Sequence, residues 1–312
     1  MSHATADAMT ELLTPPPLAD ECVISISTTR RYSAASPLRY PGGKAALAGF
    51  FKGLIDDLGI QSPRYVEPFA GGVGAGLALL VDDAVASIVI NDVDPAVFSF
   101  WNSVVNDTQS FLDLVVDTPV TLDEWHLQRD TYRRADRRDR LALGFAFFYL
   151  NRTNRSGILN AGVIGGQAQA GKYLIGARYY RDELVRRIEA IGALRDRIAV
   201  SDEDGGSLIE SLAGDPGAFF YIDPPYVRMG DSLYLNAFSL EDHANLSETI
   251  NGASQSHWVL TYDISDYVRE LYSGRYIREF ELQYSASRAG IARELLISSL
   301  SVEAVLRARE GR

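Results

Sequence analysis

Residues 219–226 read Phe-Phe-Tyr-Ile-Asp-Pro-Pro-Tyr, an apolar strand pattern followed at once by a carboxylate, two prolines and an aromatic ring. In open α/β sheets, ligands bind at the carboxyl ends of the strands, which is where Asp223 and Tyr226 are expected. Because proline lacks an N–H, a tight Pro224-Pro225 turn leaves backbone carbonyls available to accept hydrogen bonds. Two acceptors beside a flat ring suit a planar NH2 group such as the amino group of adenine. A strand-ending turn with an incidental tyrosine is the alternative.

Length and composition are those of an ordinary globular protein. The chain has 312 residues, of which 46% are hydrophobic and 23% charged, and no apolar stretch approaches the roughly 18 residues of a membrane span. Residues 1–36 contain a Thr-Pro-Pro-Pro break and no continuous apolar segment, so we expect a mostly disordered arm rather than a signal peptide. The single cysteine, Cys22, excludes a disulfide framework and a cysteine zinc site, and a cytoplasmic location is expected.

The charge is unevenly distributed along the chain. The net charge is −11, but residues 129–197 hold 15 of the 30 Lys and Arg residues and only 7 of the 41 Asp and Glu residues. A basic segment on an acidic body is typical of a protein in which one lobe contacts phosphates. Solvated helix faces, with arginine favoured by genome composition, are the alternative.

The order of elements predicts a doubly wound α/β fold. Strand-like segments alternate with helical ones on both sides of residues 106–180, where helical segments and a glycine-rich run interrupt the rhythm. We therefore expect a Rossmann-like sheet built from residues 37–105 and 181–312, with residues 106–180 as an inserted helical region. The predicted strands are 64–67, 87–90, 198–201, 219–223, 258–262, 276–282 and 294–300.

Two glycine-rich turns lie near the start of the sheet. The first, 67–76, reads Glu-Pro-Phe-Ala-Gly-Gly-Val-Gly-Ala-Gly between a strand and its helix, and the next strand ends at Asp92. Its glycine spacing does not match a dinucleotide fingerprint. An acid at the strand end suits a cationic ligand such as S-adenosylmethionine (AdoMet), and Asp92 is placed to accept from ribose hydroxyls. The second turn, 38–44, ends in Lys44 at a helix start, where a cation needs an anionic partner; a cofactor carboxylate is one candidate, and a simple helix-start turn is the alternative.

Taken in order, these motifs resemble the DNA adenine methylase (Dam) family, the alpha group of N6-adenine methyltransferases. The order is Tyr-Pro-Gly-Gly-Lys at 40–44, Glu-Pro-Phe-Ala-Gly-Gly at 67–72, Asn-Asp at 91–92, an inserted region, and Asp-Pro-Pro-Tyr at 223–226. The resemblance extends to residues 149–157, which look like the start of the family's target-contacting region, and to Glu-Leu-Leu-Ile at 294–297, which looks like its closing strand.

The resemblance implies AdoMet as cofactor and double-stranded DNA as partner; a cognate restriction endonuclease or defence system stays open, and a monomer associated with the nucleoid is expected. It implies catalysis on a flipped base by Asp223, Pro224, Pro225 and Tyr226. It implies that AdoMet is held by Tyr40, Gly42, Gly43, Lys44, Glu67, Pro68, Phe69, Ala70, Gly71, Gly72, Gly74, Asp92 and Asp204. It implies DNA contacts from Asn151, Arg152, Asn154, Arg155 and Asn160.

One departure concerns specificity. Members of the family that read GATC have an arginine at about the position of Asn160, so a GATC site is in doubt. The nearest alternatives are methylation of an RNA base or of a protein glutamine amide, although Asp223 argues against the amide enzymes, which usually begin this tetrad with Asn. A catalytically silent AdoMet-fold binding protein is a third alternative. No cysteine nucleophile stands in the folded part, and the four histidines lack metal-ligand spacing, so we expect direct methyl transfer without a metal.

Overall fold

A computed structural model describes residues 35–39, 44–227, 238–253, 255–284 and 290–310. The predicted arm lies outside these residues as far as position 34, as do Tyr40, Gly42 and Gly43 of the predicted cofactor turn. No helix among the described residues is long and apolar enough to cross a membrane.

The described strands form one seven-stranded sheet in the order β3-β2-β1-β4-β5-β7-β6. Neighbours from β3 to β5 are parallel, whereas β7 runs antiparallel to both β5 and β6. The predicted doubly wound α/β fold is therefore confirmed. The strands are β1 (Arg64–Glu67), β2 (Ser87–Asn91), β3 (Ile198–Ser201), β4 (Ala218–Ile222), β5 (His257–Asp263), β6 (Tyr276–Tyr284) and β7 (Gly290–Ser298).

Helices cover both faces of the sheet. Side chains on β4 alternate between the two faces, with Phe219 and Tyr221 in one apolar cluster and Phe220 and Ile222 in the other. Burial on both faces explains why this parallel strand is apolar throughout. The helices are α1 (Ala48–Leu58), α2 (Gly74–Val81), α3 (Pro95–Asn106), α4 (Thr108–Asp117), α5 (Leu122–Arg134), α6 (Arg140–Thr153), α7 (Arg181–Gly192), α8 (Gly205–Leu212), α9 (Leu240–Gly252), α10 (Asp266–Leu271) and α11 (Leu300–Glu310).

Two predicted boundaries shift. The helix expected from Ala45 begins as a 3-10 turn, Lys44–Leu47, and becomes α-helical at Ala48. The closing strand, predicted over 294–300, begins at Gly290 and ends at Ser298, because its first residues pair with the end of β6. The longer strand matters for the site, since it carries Glu294 in its middle.

The strand order reverses between β1 and β4, which lie side by side although β1 is followed in sequence by β2. The crevice at such a switch point is where doubly wound sheets bind ligands. Glu67 ends β1 and Asp223 follows β4 directly. The fold therefore brings the two predicted acidic motifs to neighbouring strand ends.

The helices of the predicted insertion pack into the same apolar cluster as α1, α2 and α3. The crossing of α6 over α3 is close at Gly144, where a Cβ would lie 2.6 Å from the Ser99 carbonyl oxygen. These helices form a third layer, which shares an apolar core with the helices that cover one face of the sheet. We retain residues 106–180 as the proposed recognition region.

Candidate active site

Asp223 lies at the carboxyl end of β4 with one carboxylate oxygen held firmly. Its Oδ1 accepts hydrogen bonds from Thr261 Oγ1 at 2.7 Å and from Tyr226 Oη at 3.2 Å, and Lys44 Nζ lies 3.7 Å away. Among the described residues, no hydrogen bond reaches Oδ2, and the side chain is 25% exposed. The carboxylate is thus fixed through one oxygen and available through the other.

Lys44 takes a different place from the one predicted. Its Nζ lies 2.7 and 3.0 Å from the two carboxylate oxygens of Glu294 and donates to Tyr226 Oη at 2.7 Å. The expectation of an anionic partner was sound, but a buried protein carboxylate supplies it. The prediction that Lys44 holds AdoMet stays a prediction, and the contacts of its ammonium among the described residues lie beneath Asp223 and Tyr226.

Thr261 and Glu294 are site residues that sequence reasoning missed. Thr261 is the polar residue in the buried strand β5, and it also bonds the hydroxyl of Tyr221 at 2.9 Å. Glu294 lies in β7 opposite Asp263. The signal is a polar residue inside a buried apolar run for Thr261 and directly before one for Glu294, and a buried polar group needs a partner wherever the fold places it.

The surroundings of Asp223 favour its neutral form. Burial raises the pKa of the carboxyl, and the charge of Glu294 raises it further. The Lys44 ammonium and the hydrogen bonds from Thr261 and Tyr226 act in the opposite direction. The pKa of Asp223 therefore depends on the charges of Lys44 and Glu294.

The predicted cofactor loop, residues 67–74, is tied to the second strand end. Asp92 accepts the Gly71 N–H at 2.9 Å through Oδ2 and the Asp94 N–H at 3.0 Å through Oδ1. Glu67 is buried and accepts the Gly76 N–H at 3.2 Å. An ionised carboxylate has about four acceptor positions, so both oxygens of Asp92 keep capacity for a ligand.

Burial perturbs both of these acids. It raises the pKa of Asp92 to about 7 and that of Glu67 to about 8, while the hydrogen bonds from the loop N–H groups lower them. Acids held partly protonated near neutral pH are candidates for a functional site. They suit a ligand that brings positive charge and hydroxyl groups.

Asn91, from the Asn-Asp motif, and Trp101, which the sequence did not single out, hold this loop in place. Asn91 donates to the Pro68 carbonyl at 2.9 Å and the Glu203 carbonyl at 3.0 Å, and its backbone carbonyl accepts the Ala70 N–H. Trp101 Nε1 donates to the Gly71 carbonyl at 2.8 Å. Gly71 itself has φ 47°, a left-handed conformation that glycine adopts easily.

Asp204, the weakest of the predicted matches, lies next to the same loop. It caps α8 by accepting the Ser207 N–H at 3.0 Å. The following residue, Gly205, touches the Phe69 ring so closely that a Cβ would lie 2.5 Å from Cζ. The structure thus brings Asp204 close to Phe69, whereas Gly72 lies in the turn before α2 and Gly74 is the first residue of that helix.

The recognition motif after α6 is built largely from internal contacts. Asn151 is buried, accepts the Arg39 N–H at 2.8 Å, and donates to the Arg39 and Gly157 carbonyls. Asn154 is also buried; it accepts from Trp125 Nε1 at 2.7 Å and donates to the carbonyls of residues 158 and 159. Their amides hold the loop in shape, and their predicted DNA contacts stay predictions.

Of the two predicted arginine contacts, one is buried and one is exposed. Arg152 is 8% exposed, donates to the Pro37 carbonyl at 3.4 Å, and burial lowers its pKa to about 10. Arg155 and Asn160 lie on the surface of the loop. Arg152 therefore supports the segment before Lys44, whereas Arg155 and Asn160 are exposed to solvent.

Within the described parts of the chain, no group of three His, Cys, Asp or Glu side chains comes together as a metal site. The acids at the switch point are bound separately: Asp223 accepts from Thr261, Asp92 from the Gly71 N–H, and Glu67 from the Gly76 N–H.

Comparison with known proteins identifies the family. The family model described as "D12 class N6 adenine-specific DNA methyltransferase" matches residues 40–286. The "Type II methyltransferase M.CviBI" of Paramecium bursaria Chlorella virus NC1A is 23% identical over 248 residues, covering 79% of this chain and 90% of that protein.

Solved structures of the rRNA methyltransferase aviRa from Streptomyces viridochromogenes also align with the chain. One, at 17% identity, has a TM-score of 0.37 and covers 85% of this chain and 89% of that one. The other, at 15% identity, has a TM-score of 0.39 and covers 88% and 93%. Sheet order, rather than these low scores, carries the fold assignment, and the family match carries the function: the chain belongs to the D12 class of N6 adenine-specific DNA methyltransferases.

Proposed function

We propose that the protein methylates N6 of adenine in double-stranded DNA with Asp223 and Pro224 as the acceptors for the target amino group. The observation that carries this assignment is the asymmetry of Asp223, whose Oδ1 is held by Thr261 and Tyr226 while Oδ2 has no described partner. No described residue donates to the Pro224 carbonyl either. Two acceptors at the switch-point edge match the two hydrogens of one amino group.

These acceptors address the chemical difficulty of the reaction. The lone pair of the adenine amino nitrogen is delocalised into the ring, so the nitrogen is a poor nucleophile. Hydrogen bonds from both N–H groups to Asp223 and Pro224 favour the pyramidal nitrogen, whose lone pair is available for bond formation. Catalysis then comes from positioning and electrostatics, without a covalent enzyme intermediate.

The residues around the cofactor loop fit AdoMet, which supplies the methyl group when bound. Buried Glu67 and half-buried Asp92 offer carboxylates to a cation and to ribose hydroxyls, and Gly71 allows close backbone approach. Asp204 precedes Gly205, which packs against Phe69, and we place the adenine of the cofactor beside these residues. The contributions of Tyr40, Gly42 and Gly43 remain part of the proposal from sequence.

Tyr226 offers a surface for the extruded base. Its hydroxyl is fixed between Lys44 and Asp223, which orients the ring. Removing a base from the helix costs a few kcal/mol, and stacking on an aromatic ring offsets about 1–3 kcal/mol of this.

Two exposed surfaces are proposed to contact the DNA. The first is the loop after α6, with Arg155 and Asn160. Members of the family that read GATC have an arginine near the position of Asn160, so we propose that this position sets a different base preference. Arg155 would then contact a phosphate or a guanine edge.

The second surface is the turn between α5 and α6, defined here as the arginine turn, residues 133–140. It is exposed throughout and contains five arginines but only two aspartates. Arg140 lies over the Phe98 ring at 5.0 Å, in the first turn of α3, which places the arginine turn beside the carboxyl edge of β2.

The two surfaces lie at opposite ends of the α5–α6 hairpin, as the bond from Trp125 to Asn154 shows. The 14 residues of α6 separate them by roughly 20 Å, or about six base pairs along B-DNA. We propose that the arginine turn follows the phosphate backbone on one side of the target.

The test uses unmethylated duplex DNA and a matched RNA duplex with AdoMet labelled in its methyl group. After digestion to nucleosides, mass spectrometry should find the label in N6-methyl-2′-deoxyadenosine and none in RNA nucleosides. Label in RNA alone, or in another base, would overturn the proposal. Single-molecule sequencing of DNA from a host that expresses the protein would then read the sequence motif.

A further inference from the structure

A buried ion pair lies directly beneath the proposed catalytic groups. Lys44 Nζ lies 2.7 and 3.0 Å from the two oxygens of Glu294, and both side chains are almost fully buried. Glu294 belongs to β7, the antiparallel strand of the sheet, and pairs in register with Asp263 at the end of β5. Because β7 runs against its neighbours, its early residues reach the edge where the parallel strands end.

The ion pair is connected to the active site by short contacts. Lys44 Nζ donates to Tyr226 Oη at 2.7 Å and lies 3.7 Å from Asp223 Oδ1. Tyr226 Oη in turn donates to the same Oδ1 at 3.2 Å. A continuous chain of polar contacts therefore runs from Glu294 through Lys44 and Tyr226 to Asp223.

We propose that Lys44 and Glu294 act as a positioning pair, which holds Asp223 by Oδ1 and Tyr226 by its hydroxyl so that Oδ2 faces the target amino group. This inference rests on the proposed function of Asp223. Neither residue of the pair contacts the reacting atoms in this assignment.

The two charges have separate tasks. Lys44 supplies the donor that fixes the Tyr226 hydroxyl and the cation that lowers the pKa of Asp223 against the effect of burial. A lone buried ammonium would also withdraw charge from Asp223 and weaken it as an acceptor, and Glu294 compensates for this by neutralising Lys44. The other titratable groups that face Asp223 are Glu67 and the tyrosines Tyr65, Tyr221, Tyr226 and Tyr262.

A buried ion pair is a poor way to gain stability. Removing two charges from water offsets most of their mutual attraction, and an apolar pair of similar volume often gives equal or greater stability. Removing only one member leaves an uncompensated buried charge and is strongly destabilising. A positioning role and a structural role therefore predict different behaviour for the double replacement.

The decisive variant is Lys44→Met combined with Glu294→Leu. We expect it to unfold at or above the wild-type temperature, to bind AdoMet within a few-fold of wild type, and to lose about tenfold or more in kcat, the effect of one lost charge-assisted interaction in the transition state. Lys52→Met is the matched control, because Lys52 makes an exposed pair with Asp56 at 2.9 Å. It should leave all three measurements unchanged.

Single variants add a pH readout that a structural role would not move. Glu294 raises the pKa of Asp223 and Lys44 lowers it. The acid limb of the kcat profile should therefore move to lower pH in Glu294→Gln and to higher pH in Lys44→Met. If either single variant fails to fold, the double variant decides.

Three results would overturn the inference. They are a folded double variant with wild-type kcat, pH limbs that move in the same direction in both single variants, and a large loss of AdoMet affinity in the double variant. The last would return Lys44 to the cofactor site. Labelled N6-methyladenine from the wild-type enzyme in the same assay keeps a failure of this inference separate from a failure of the proposed function.

Discussion

Asp223 and Asn154 both lie in motifs that predicted contact with the target, yet the structure uses their polar atoms in opposite ways. Asp223 engages one oxygen internally and leaves Oδ2 without a described partner. Asn154 is fully buried, and its amide makes three hydrogen bonds to Trp125, Ile158 and Leu159. The first arrangement presents a side chain to a ligand, whereas the second builds the loop that presents other residues.

The comparison separates two kinds of motif residue. A polar side chain at a ligand site keeps hydrogen-bonding capacity, because the ligand must supply the remaining partner. A polar side chain stabilises local structure when all its hydrogen-bonding groups are paired inside the protein. Replacing the two kinds should therefore affect different measurements, stability for one and chemistry for the other.

The largest effect on stability is expected at Asn154. Asn154→Ala removes three buried hydrogen bonds and leaves Trp125 Nε1 and two carbonyls without their partner, which should cost about 3 kcal/mol of unfolding free energy. Urea denaturation would measure it. Asn160→Ala is the matched control on the exposed part of the same loop and should change stability little. Equal stability of the two variants would contradict the distinction.

Asp92→Ala tests the same distinction between ligand-binding and structural side chains at the cofactor loop. The carboxylate has spare acceptor positions beyond its bonds to Gly71 and Asp94, so it resembles Asp223 rather than Asn154. Losing a charge-assisted hydrogen bond to the ribose should remove about 1.5–3 kcal/mol of AdoMet binding, with the rate partly recovered at saturation. Calorimetric titration checks this, and unchanged affinity would place the ribose elsewhere.

AdoMet binding should also depend on pH. Asp92 and Glu67, with pKa values of about 7 and 8, are partly protonated at neutral pH and ionise as the pH rises. A cationic ligand prefers the ionised acids, so affinity should rise between pH 6 and 9, by up to about tenfold per unit for each proton released.

For the protein without ligand, the same two acids should make the free energy of unfolding fall as the pH rises. Their folded pKa values lie above those of the unfolded chain, so between about pH 4 and about pH 8 the folded state binds more protons than the unfolded chain and loses stability as the pH rises. Titration calorimetry in buffers of different ionisation enthalpy would detect the proton release. Glu67→Gln should flatten both dependences, and a pH-independent affinity would contradict the assignment of these acids to the cofactor.

The smallest expected effects concern DNA contacts at the surface. Arg155→Ala and Arg137→Ala should each lower the slope of log affinity against log salt by about 0.9 if the side chain contacts a phosphate. A guanine contact by Arg155 would instead relax specificity at one position by about 1–3 kcal/mol. Arg195→Ala is the control, because Arg195 precedes β3 and so lies at the amino ends of the parallel strands, away from their carboxyl edge. An equal change in the control would remove the case for a defined DNA surface.

The sequence was sufficient for the fold and for the edge of the sheet that carries the site. Apolar runs followed by Asp92 and Asp223 predicted that both acids lie at the carboxyl edge of the sheet, because parallel strands share that edge. Sequence reasoning could not pair Lys44 with Glu294, since 250 residues separate them and the contact depends on the antiparallel register of β7.

The burial of several predicted DNA-contact residues could not be foreseen for a related reason. Asparagine and arginine are typical of DNA contacts, but the same side chains satisfy buried backbone groups. Only the packing of α6 against the segment before Lys44 shows that Asn151 and Arg152 face inward. The pattern of residue types is the same in either orientation.

One variant, Asp223→Ala, measured in three ways, tests whether Asp223 acts on the target amine and not on the structure or the cofactor. Asp223→Ala should abolish methyl transfer to duplex DNA, a loss of at least about a hundredfold, because the developing charge on nitrogen loses its acceptor. The same preparation should bind AdoMet within a few-fold of wild type and unfold at no lower temperature, since removing a buried carboxylate relieves its desolvation. Retained transfer of labelled methyl groups to adenine, with affinity and stability unchanged, would contradict the account.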